Sequence, residues 1–163
     1  MEHIHIDNIK ALAQSAHSDA AIRERLFDEA FGEERDAASI ALWALTHLPA
    51  TDNRHIDQRR TELIRLAVGT PDTSLRRLAL VLLERLDWSE AEVSTEMLDF
   101  CLQHFMNPAE AVGVRALCIK LAWYQCRHYP ELCAELRQCL LQLDHEELKP
   151  GLRHTRNKII RLL

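Results

Sequence analysis

Glycine, proline and strand-like patterns are all scarce in this sequence. The chain has four glycines and five prolines among 163 residues, and only His3-Ile4-His5-Ile6 alternates as a strand would. Its apolar runs are a few residues long, far below the roughly 18 needed to cross a bilayer. The N-terminus also lacks the basic start and apolar core of a signal peptide. These absences predict an all-α, cytoplasmic protein without a membrane span.

The cysteines are odd in number and have no C-x-x-C spacing. The odd number argues against a disulfide framework, and the lack of C-x-x-C argues against a zinc site. Buried, reduced thiols are the expected state, since an unpaired cysteine behaves as a small apolar residue. The five positions are Cys101, Cys118, Cys126, Cys133 and Cys139.

Catalytic spacings are also missing. The sequence contains no H-E-x-x-H, no G-x-S-x-G and no phosphate-binding glycine loop. Only His3 and His5 are histidines close together in the sequence, and Asp7 lies beside them. The three side chains could bind a metal if this segment were extended, but a frayed N-terminus is the favoured interpretation. We therefore predict no enzymatic activity, no metal and no cofactor.

What the sequence does contain is a repeat, and it is clearest at residues 70–86. After Thr70-Pro71-Asp72, the apolar residues Leu75, Leu78, Ala79, Leu82, Leu83 and Leu86 fall on one side of an α-helix. A shift of 38 or 39 residues aligns Leu75 with Ala37, Val114 and Leu152. The same shift aligns Leu82 with Ala44, Leu121 and Ile159. The pattern predicts an array of helix pairs in which an A helix precedes a B helix.

The boundaries follow from capping and breaking residues. The B helices are predicted near 34–48, 71–87, 108–128 and 150–163, and an extra helix at 7–16 leads the chain. We expect Asp7 to cap this leading helix, Ser18 or Asp19 to cap the next, and Ser89 with Glu92 to form a capping box. The polar segment 50–55 is predicted to be a surface loop. Four helix pairs and the leading helix would form a single domain, 1–163.

The stretch from Pro71 to Ala79 resembles the B-helix pattern of HEAT repeats, in which Pro-Asp is followed by two spacers, valine or leucine, arginine and a small residue. The resemblance implies a right-handed α-α superhelix, a HEAT/ARM-like solenoid. Two positions depart from the pattern. The first repeat has Ala38 in place of the arginine, and the fourth has Arg156 in place of the small residue.

The end of the chain resembles that of a group of small bacterial HEAT-like proteins. The resemblance lies in Pro150-Gly151-Leu152-Arg153 and the basic and apolar residues that follow. Some of those chains carry the label adenylosuccinate lyase, which implies a much longer enzyme with a serine-bearing mobile loop. Because no such loop occurs here, adenylosuccinate lyase activity is not expected.

Three arginines, Arg76, Arg115 and Arg153, stand one repeat apart. The HEAT resemblance implies that they form a structural ladder with acids at the start of neighbouring B helices. Asp72 and Glu110 are placed for that role. The alternative is an anion-binding stripe, since guanidinium groups bind oxyanions well.

If the apolar positions of the B helices face inward, the residues opposite them form an outward set. In a HEAT-like solenoid this set lines the concave side. The outward set comprises Ser39, Trp43, Thr46, Arg77, Val81, Glu84, Ala116, Lys120, Trp123, His154, Lys158 and Arg161. Its predicted partner-binding residues are Trp43, Arg77, Lys120, Trp123, Lys158 and Arg161. Trp123 is either an exposed anchor or a cover for an irregular end, and Trp88 is expected to plug the space between repeats.

The leading functional prediction is a non-enzymatic scaffold or adaptor that binds a protein or peptide on its concave face. The rival is nucleic-acid binding of the kind that HEAT-like alkylpurine DNA glycosylases perform. A net charge of −5 disfavours it, although residues 149–163 carry five basic residues and no acid. A third alternative is self-association through the C-terminal helix. No membrane partner is expected.

Overall fold

The protein is all-α, as the sequence predicts. The structure, a computed structural model, describes residues 4–145 and 147–163. Within them lie ten α-helices and two short 3-10 turns, Ala50–Asp52 and Glu90–Glu92. The helices are α1 (Ile6–Ser18), α2 (Ala20–Ala30), α3 (Arg35–Thr46), α4 (Asn53–Asp57), α5 (Arg60–Gly69), α6 (Thr73–Glu84), α7 (Thr95–Met106), α8 (Val112–Cys126), α9 (Pro130–Gln142) and α10 (Pro150–Leu162).

The B helix that defines the repeat is α6. Asp72 begins it, because its carboxylate accepts the N–H groups of Ser74 and Leu75 at 2.9 and 3.1 Å. The six positions predicted to face inward are all buried. In the equivalent columns, Ala41 and Cys118 have no exposed surface, and Leu152 and Ile159 are buried as well. The inward face is therefore confirmed for α6 and for most positions of the other B helices, whereas Ala37, Ile40 and Leu117 are only half-buried.

The helices cluster into two compact units, unit 1 (residues 1–86) and unit 2 (residues 87–163). In unit 1, α2 packs on α3, α5 packs on α6, and the B helices α3 and α6 pack on each other. The leading helix α1 covers α2 and α3. Phe27, Leu42 and Leu80 are fully buried at the centre. The sequence-based prediction of a single domain over 1–163 stays a prediction.

In unit 2, α8 occupies the central place because it packs on α7, α9 and α10. Trp88, which leads into this unit, has no exposed surface, and neither do Phe105 and Ile119. Two side chains contact the main-chain oxygen of Trp88 and hold it in position. His128 Nε2 lies 2.6 Å from the Trp88 oxygen, and Arg127 donates to the same oxygen at 3.4 Å.

Two of the predicted caps are wrong. The leading helix begins after His5, and Asp7 lies within its first turn without capping it. Ser89 precedes only the 3-10 turn Glu90–Glu92, while Ser94 caps α7 by accepting the N–H of Met97 at 3.2 Å. Valine at position 93 leaves the helical region and separates the two elements. The prediction for Asp19 is confirmed, since its carboxylate accepts the Ala21 N–H at 2.8 Å.

The segment 50–55 is not a surface loop. It contains the 3-10 turn Ala50–Asp52 and the start of α4. Asp52 is only 4% exposed, because its Oδ2 lies 2.7 Å from Nδ1 of His17 in the leading helix. The Asn53 side chain donates to the Arg85 carbonyl at 3.1 Å. Polar composition misled the prediction because these polar groups find partners inside the fold.

Candidate interaction surface

An aromatic and basic cluster lies on the outward face of α8. Lys120, Trp123 and Tyr124 are half-buried and Arg127 is exposed. The Trp123 and Tyr124 rings are 5.5 Å apart at an angle of 56°. The Arg127 guanidinium lies 5.4 Å from the Trp123 ring and 5.5 Å from the Tyr124 ring. Arginine stacked on two aromatic rings preorganises a contact surface with both apolar and cationic character.

The outward face of α10 is basic. His154, Lys158 and Arg161 are all exposed, and their spacing of four and three residues places them along one side of the helix. Leu162 is 52% exposed beside them. Arg137 from α9 donates to the Ile160 carbonyl at 3.1 Å, which adds a further cation at the negative end of the helix.

In unit 1 the outward face is less polar. Arg77 is exposed, whereas Trp43, Val81 and Glu84 are half-buried. The Thr46 hydroxyl is bound locally, since it donates to the Trp43 carbonyl at 2.6 Å. Every member of the outward set in both units is at least partly exposed. Their role in binding a partner stays a prediction.

The arginine column binds main-chain oxygens. Arg76 donates to the carbonyls of Ala67 and Thr70 at the end of α5. Arg115 donates to Phe105 in the last turn of α7 at 2.9 Å. Arg153 donates to His145 and Leu148, both at 2.9 Å. These bonds satisfy carbonyls that a helix end or turn leaves open, which is a structural use of each arginine.

The two acids proposed for the ladder have partners outside this column. Asp72 accepts from Arg35 at 2.8 Å, so it joins the first helix pair to the second. This hydrogen bond, with those from the Leu75 and Ser74 amides, lowers the pKa of Asp72. Glu110 lies 2.6 Å from His104. The acid–arginine ladder itself stays a prediction.

Arg156 has a structural role that its place in the repeat did not predict. It occupies the column of Ala41, Ala79 and Cys118, yet it is only 8% exposed. Its Nε donates to the Leu140 carbonyl in the last turn of α9 at 3.0 Å, and Nη1 donates to Asn157 at 2.7 Å. It thereby provides for α9 the bond that Arg115 provides for α7. The only sequence feature that could have indicated this role is the arginine at a position where the other repeats have a small residue.

Two arginines at the ends of B helices have roles that the repeat pattern also did not predict. Arg85 follows α6 and donates to the carbonyls of Thr46 and Pro49 at 3.3 and 3.1 Å. Arg127 follows α8 and donates to the Trp88 carbonyl. Each arginine therefore reaches back to the turn at the end of the preceding B helix. Their separation of 42 residues differs from the 38- or 39-residue period, which concealed the relation.

The titratable groups of the described residues do not assemble a metal centre. No group of three or more histidine, cysteine or acidic side chains among residues 4–145 and 147–163 could hold a metal ion. His3, part of the candidate trio, lies outside the described residues, and His5 is 3.7 Å from Asp7. Cys101, Cys118 and Cys126 are buried, whereas Cys133 and Cys139 are half-buried. Burial raises the pKa of Cys101 well above its usual value and that of Cys126 to about 12.

Comparison with known proteins agrees with the helix pairs. The HEAT repeat domain family matches residues 1–163 of the chain. No curated protein and no solved structure matches this chain. In the part of the chain that the structure describes, no helix is long and apolar enough to cross a membrane. With paired helices and a 38- to 39-residue period, the chain belongs to the HEAT repeat domain family.

Proposed function

We propose that this protein is a non-enzymatic scaffold or adaptor whose B helices bind a protein or peptide partner. The proposed contact residues are Trp43, Arg77, Lys120, Trp123, Lys158 and Arg161. The observation that carries the proposal is the stacked Trp123, Tyr124 and Arg127 on α8. Helical repeat arrays typically use one face of their stacked helices in this way.

The aromatic cluster supports a protein partner because tryptophan, tyrosine and arginine dominate the energetics of protein interfaces. Trp123 is half-buried, so part of its ring remains available to a partner. The Arg127 guanidinium already lies above the rings, so less side-chain freedom is lost when a partner binds.

Charge indicates the chemistry of the partner. His154, Lys158 and Arg161 are exposed on α10, and no acid occurs between residues 149 and 163. An acidic segment would gain from this face through faster association and correct orientation. We therefore expect the bound protein or peptide to carry aspartate or glutamate near its apolar anchor.

The test is affinity capture from a lysate of the source organism, with half of each sample treated with nuclease. The bait is either the wild type or a Lys120→Glu/Trp123→Ala/Lys158→Glu variant. A control variant, Arg54→Glu/Arg65→Glu/Leu141→Ala, makes the same change of charge and a smaller apolar truncation at exposed positions outside the outward set. The dissociation constant of each recovered protein is then measured with all three baits.

A protein that survives nuclease, binds the control variant and binds the triple variant at least about 100-fold more weakly would support the proposal. Recovery of nucleic acid alone would favour the DNA-binding alternative instead. Equal losses in both variants would place the interface on another face. Sedimentation at two concentrations identifies the case in which the partner is a second copy of this chain.

A further inference from the structure

All five cysteines of the chain lie in unit 2, on three neighbouring helices. Cys101 is on α7, Cys118 and Cys126 are on α8, and Cys133 and Cys139 are on α9. The central helix α8 packs against both α7 and α9. All five are free thiols, and three of them are buried. A reagent from solvent therefore reaches only the two half-buried thiols, which are both on α9.

Cys133 lies against the main chain of Cys126. Its thiol donates to the Cys126 carbonyl, with the sulfur 3.2 Å from the oxygen. Cys126 is the last residue of α8 and Cys133 is near the start of α9, so this contact spans the connection between the two helices. A disulfide forms only between cysteines whose main chains are already close. The contact with the Cys126 carbonyl meets this requirement for the pair.

The other cysteines are less suited to form a disulfide. Cys139 follows Cys133 by six residues on the same helix, which places it about 9 Å further along the axis. A disulfide does not bridge that separation without breaking the helix. Burial, together with the neighbouring Cys118 thiol, raises the pKa of Cys101. Neither Cys101 nor Cys118 has exposed surface, so this second pair is closed to a reagent from solvent.

The difference in burial gives Cys126 and Cys133 different roles. Cys126 is 2% exposed, and burial raises its pKa to about 12, with smaller contributions from Cys133 and other neighbours. It therefore stays protonated near neutral pH and does not start a reaction with a reagent. Cys133 is half-buried and meets the reagent first. An accessible thiol beside a second cysteine is the usual arrangement in reversible thiol oxidation.

We propose that Cys126 and Cys133 form a dithiol site that a small disulfide, such as glutathione disulfide, oxidises reversibly. The Cys133 thiolate attacks one sulfur of the small disulfide and displaces a thiolate, which leaves a mixed disulfide on Cys133. The Cys126 sulfur loses its proton, attacks the Cys133 sulfur and displaces the second thiolate. The two released thiolates take up the two protons that the cysteines lose.

Oxidation joins the last turn of α8 to the start of α9, and the small disulfide is reduced to two thiols. The second step succeeds despite the high pKa of Cys126 because the two sulfurs belong to one folded chain, which makes the attack intramolecular. The site lies outside the outward set, so it does not depend on the proposed partner-binding face.

The test is to equilibrate the folded full chain with reduced and oxidised glutathione, block the remaining thiols with iodoacetamide and map the peptides by mass spectrometry. Trypsin cuts after Arg127 and Arg137, so Cys126, Cys133 and Cys139 fall in three separate peptides. We expect the Cys126 and Cys133 peptides to be joined with the loss of two hydrogens, and reduction to separate them. A mixed disulfide that persists on Cys133, or a larger amount of either bond to Cys139, would overturn the proposal.

Variants test the role of each cysteine, with circular dichroism to check that each variant is folded. In Cys126→Ala, the mixed disulfide on Cys133 should rise at least about tenfold above its wild-type level, because no second thiol displaces it. Cys133→Ala should form no disulfide at Cys126. It alters a half-buried position, so it keeps the test decisive if Cys126→Ala unfolds.

Cys139→Ala is the matched control, because it removes the other half-buried thiol of α9. It should form the Cys126–Cys133 bond to the same extent as the wild type. If Cys139→Ala lost the bond as completely as Cys133→Ala, the assignment of the pair would be wrong.

Discussion

In unit 1, ion pairs between charged side chains join one helix pair to the next, whereas the buried tryptophan and the three buried cysteines all lie in unit 2. Arg59, at the start of α5, reaches Glu24 and Asp28 of α2 at 3.1 and 3.4 Å. In unit 2, Trp88 and Cys101 have no exposed surface. Both units nevertheless build the same helix pairs. The repeat therefore requires an apolar inward face but leaves open the chemistry that joins successive pairs.

This difference has consequences for how each unit responds to its surroundings. Ion pairs between partly exposed groups weaken with salt and with protonation of their carboxylates. Buried rings and thiols respond instead to cavities and to ionisation in alkali. We expect the largest effect from a change at the core of unit 2 and the smallest from a change at a partly exposed carboxylate of unit 1.

Trp88→Ala should have the largest effect. The ring has no exposed surface, so its loss leaves a cavity and should lower the free energy of unfolding by about 3–5 kcal/mol. Urea unfolding followed by circular dichroism measures the change. Trp123→Ala is the matched control, because that ring is half-buried and its loss should cost less than about 1 kcal/mol. Equal losses would show that Trp88 does not support the core of unit 2.

The buried thiols should make the protein sensitive to alkali. Burial raises the pKa of Cys126 to about 12, whereas an unfolded thiol ionises near about 8.5. Between these values the unfolded state loses its proton first, so stability falls as pH rises, by up to about 1.4 kcal/mol per pH unit for this thiol. Urea unfolding at pH 8 and pH 10 should show a shallower decline for Cys126→Ala than for the wild type. Identical declines would contradict the assignment.

Arg59→Met should have a moderate effect that depends on salt. The side chain is 17% exposed, donates to Glu62 at 2.6 Å and lies 5.1 Å above the Phe27 ring. Its carboxylate partners are partly exposed and screened, so we expect a loss of about 1–2 kcal/mol. The loss should shrink in high salt. Arg54→Met, at an exposed position, should change stability little, and a similar loss there would contradict a specific role for Arg59.

The sequence was sufficient to predict most of the buried inward positions of the B helices, but not the contacts between helices that are far apart in the chain. Leu75 and Leu82 were predictable because apolar spacing at a helical period has one physical solution, a buried stripe. Asp52 was not, because its burial depends on His17, which lies 35 residues away in another helix. The cap of α7 is Ser94 and not Ser89. Both serines are followed by glutamate, so the sequence pattern alone does not show at which of them the helix begins.

The candidate sites divide in the same way. The exposure of Lys120 and Lys158 followed from helical geometry alone. The Arg127 contact with Trp123 and Tyr124 did not, because it requires a particular side-chain direction at the end of α8. The contact of Cys133 with Cys126 was also beyond the sequence, since it depends on how α9 packs against the end of α8. Local periodicity fixes which face a residue occupies, while tertiary packing fixes its neighbours.

Changes at Asp72 should have the smallest effect on stability, and they test how the ion pairs of unit 1 respond to acid. Its hydrogen bond with Arg35 lowers the pKa of the carboxyl, so its stabilisation is present above the unfolded value of about 3.9 and is lost as pH falls through the folded value. Asp72→Ala removes the cap of α6 as well and should cost about 1 kcal/mol at pH 7. Asp72→Asn keeps a capping side chain and should cost less at pH 7. Both variants should lose less stability than the wild type between pH 5 and pH 2 in urea unfolding. If Asp72→Asn kept the full acid response of the wild type, the Arg35–Asp72 pair would not contribute to joining the first two helix pairs.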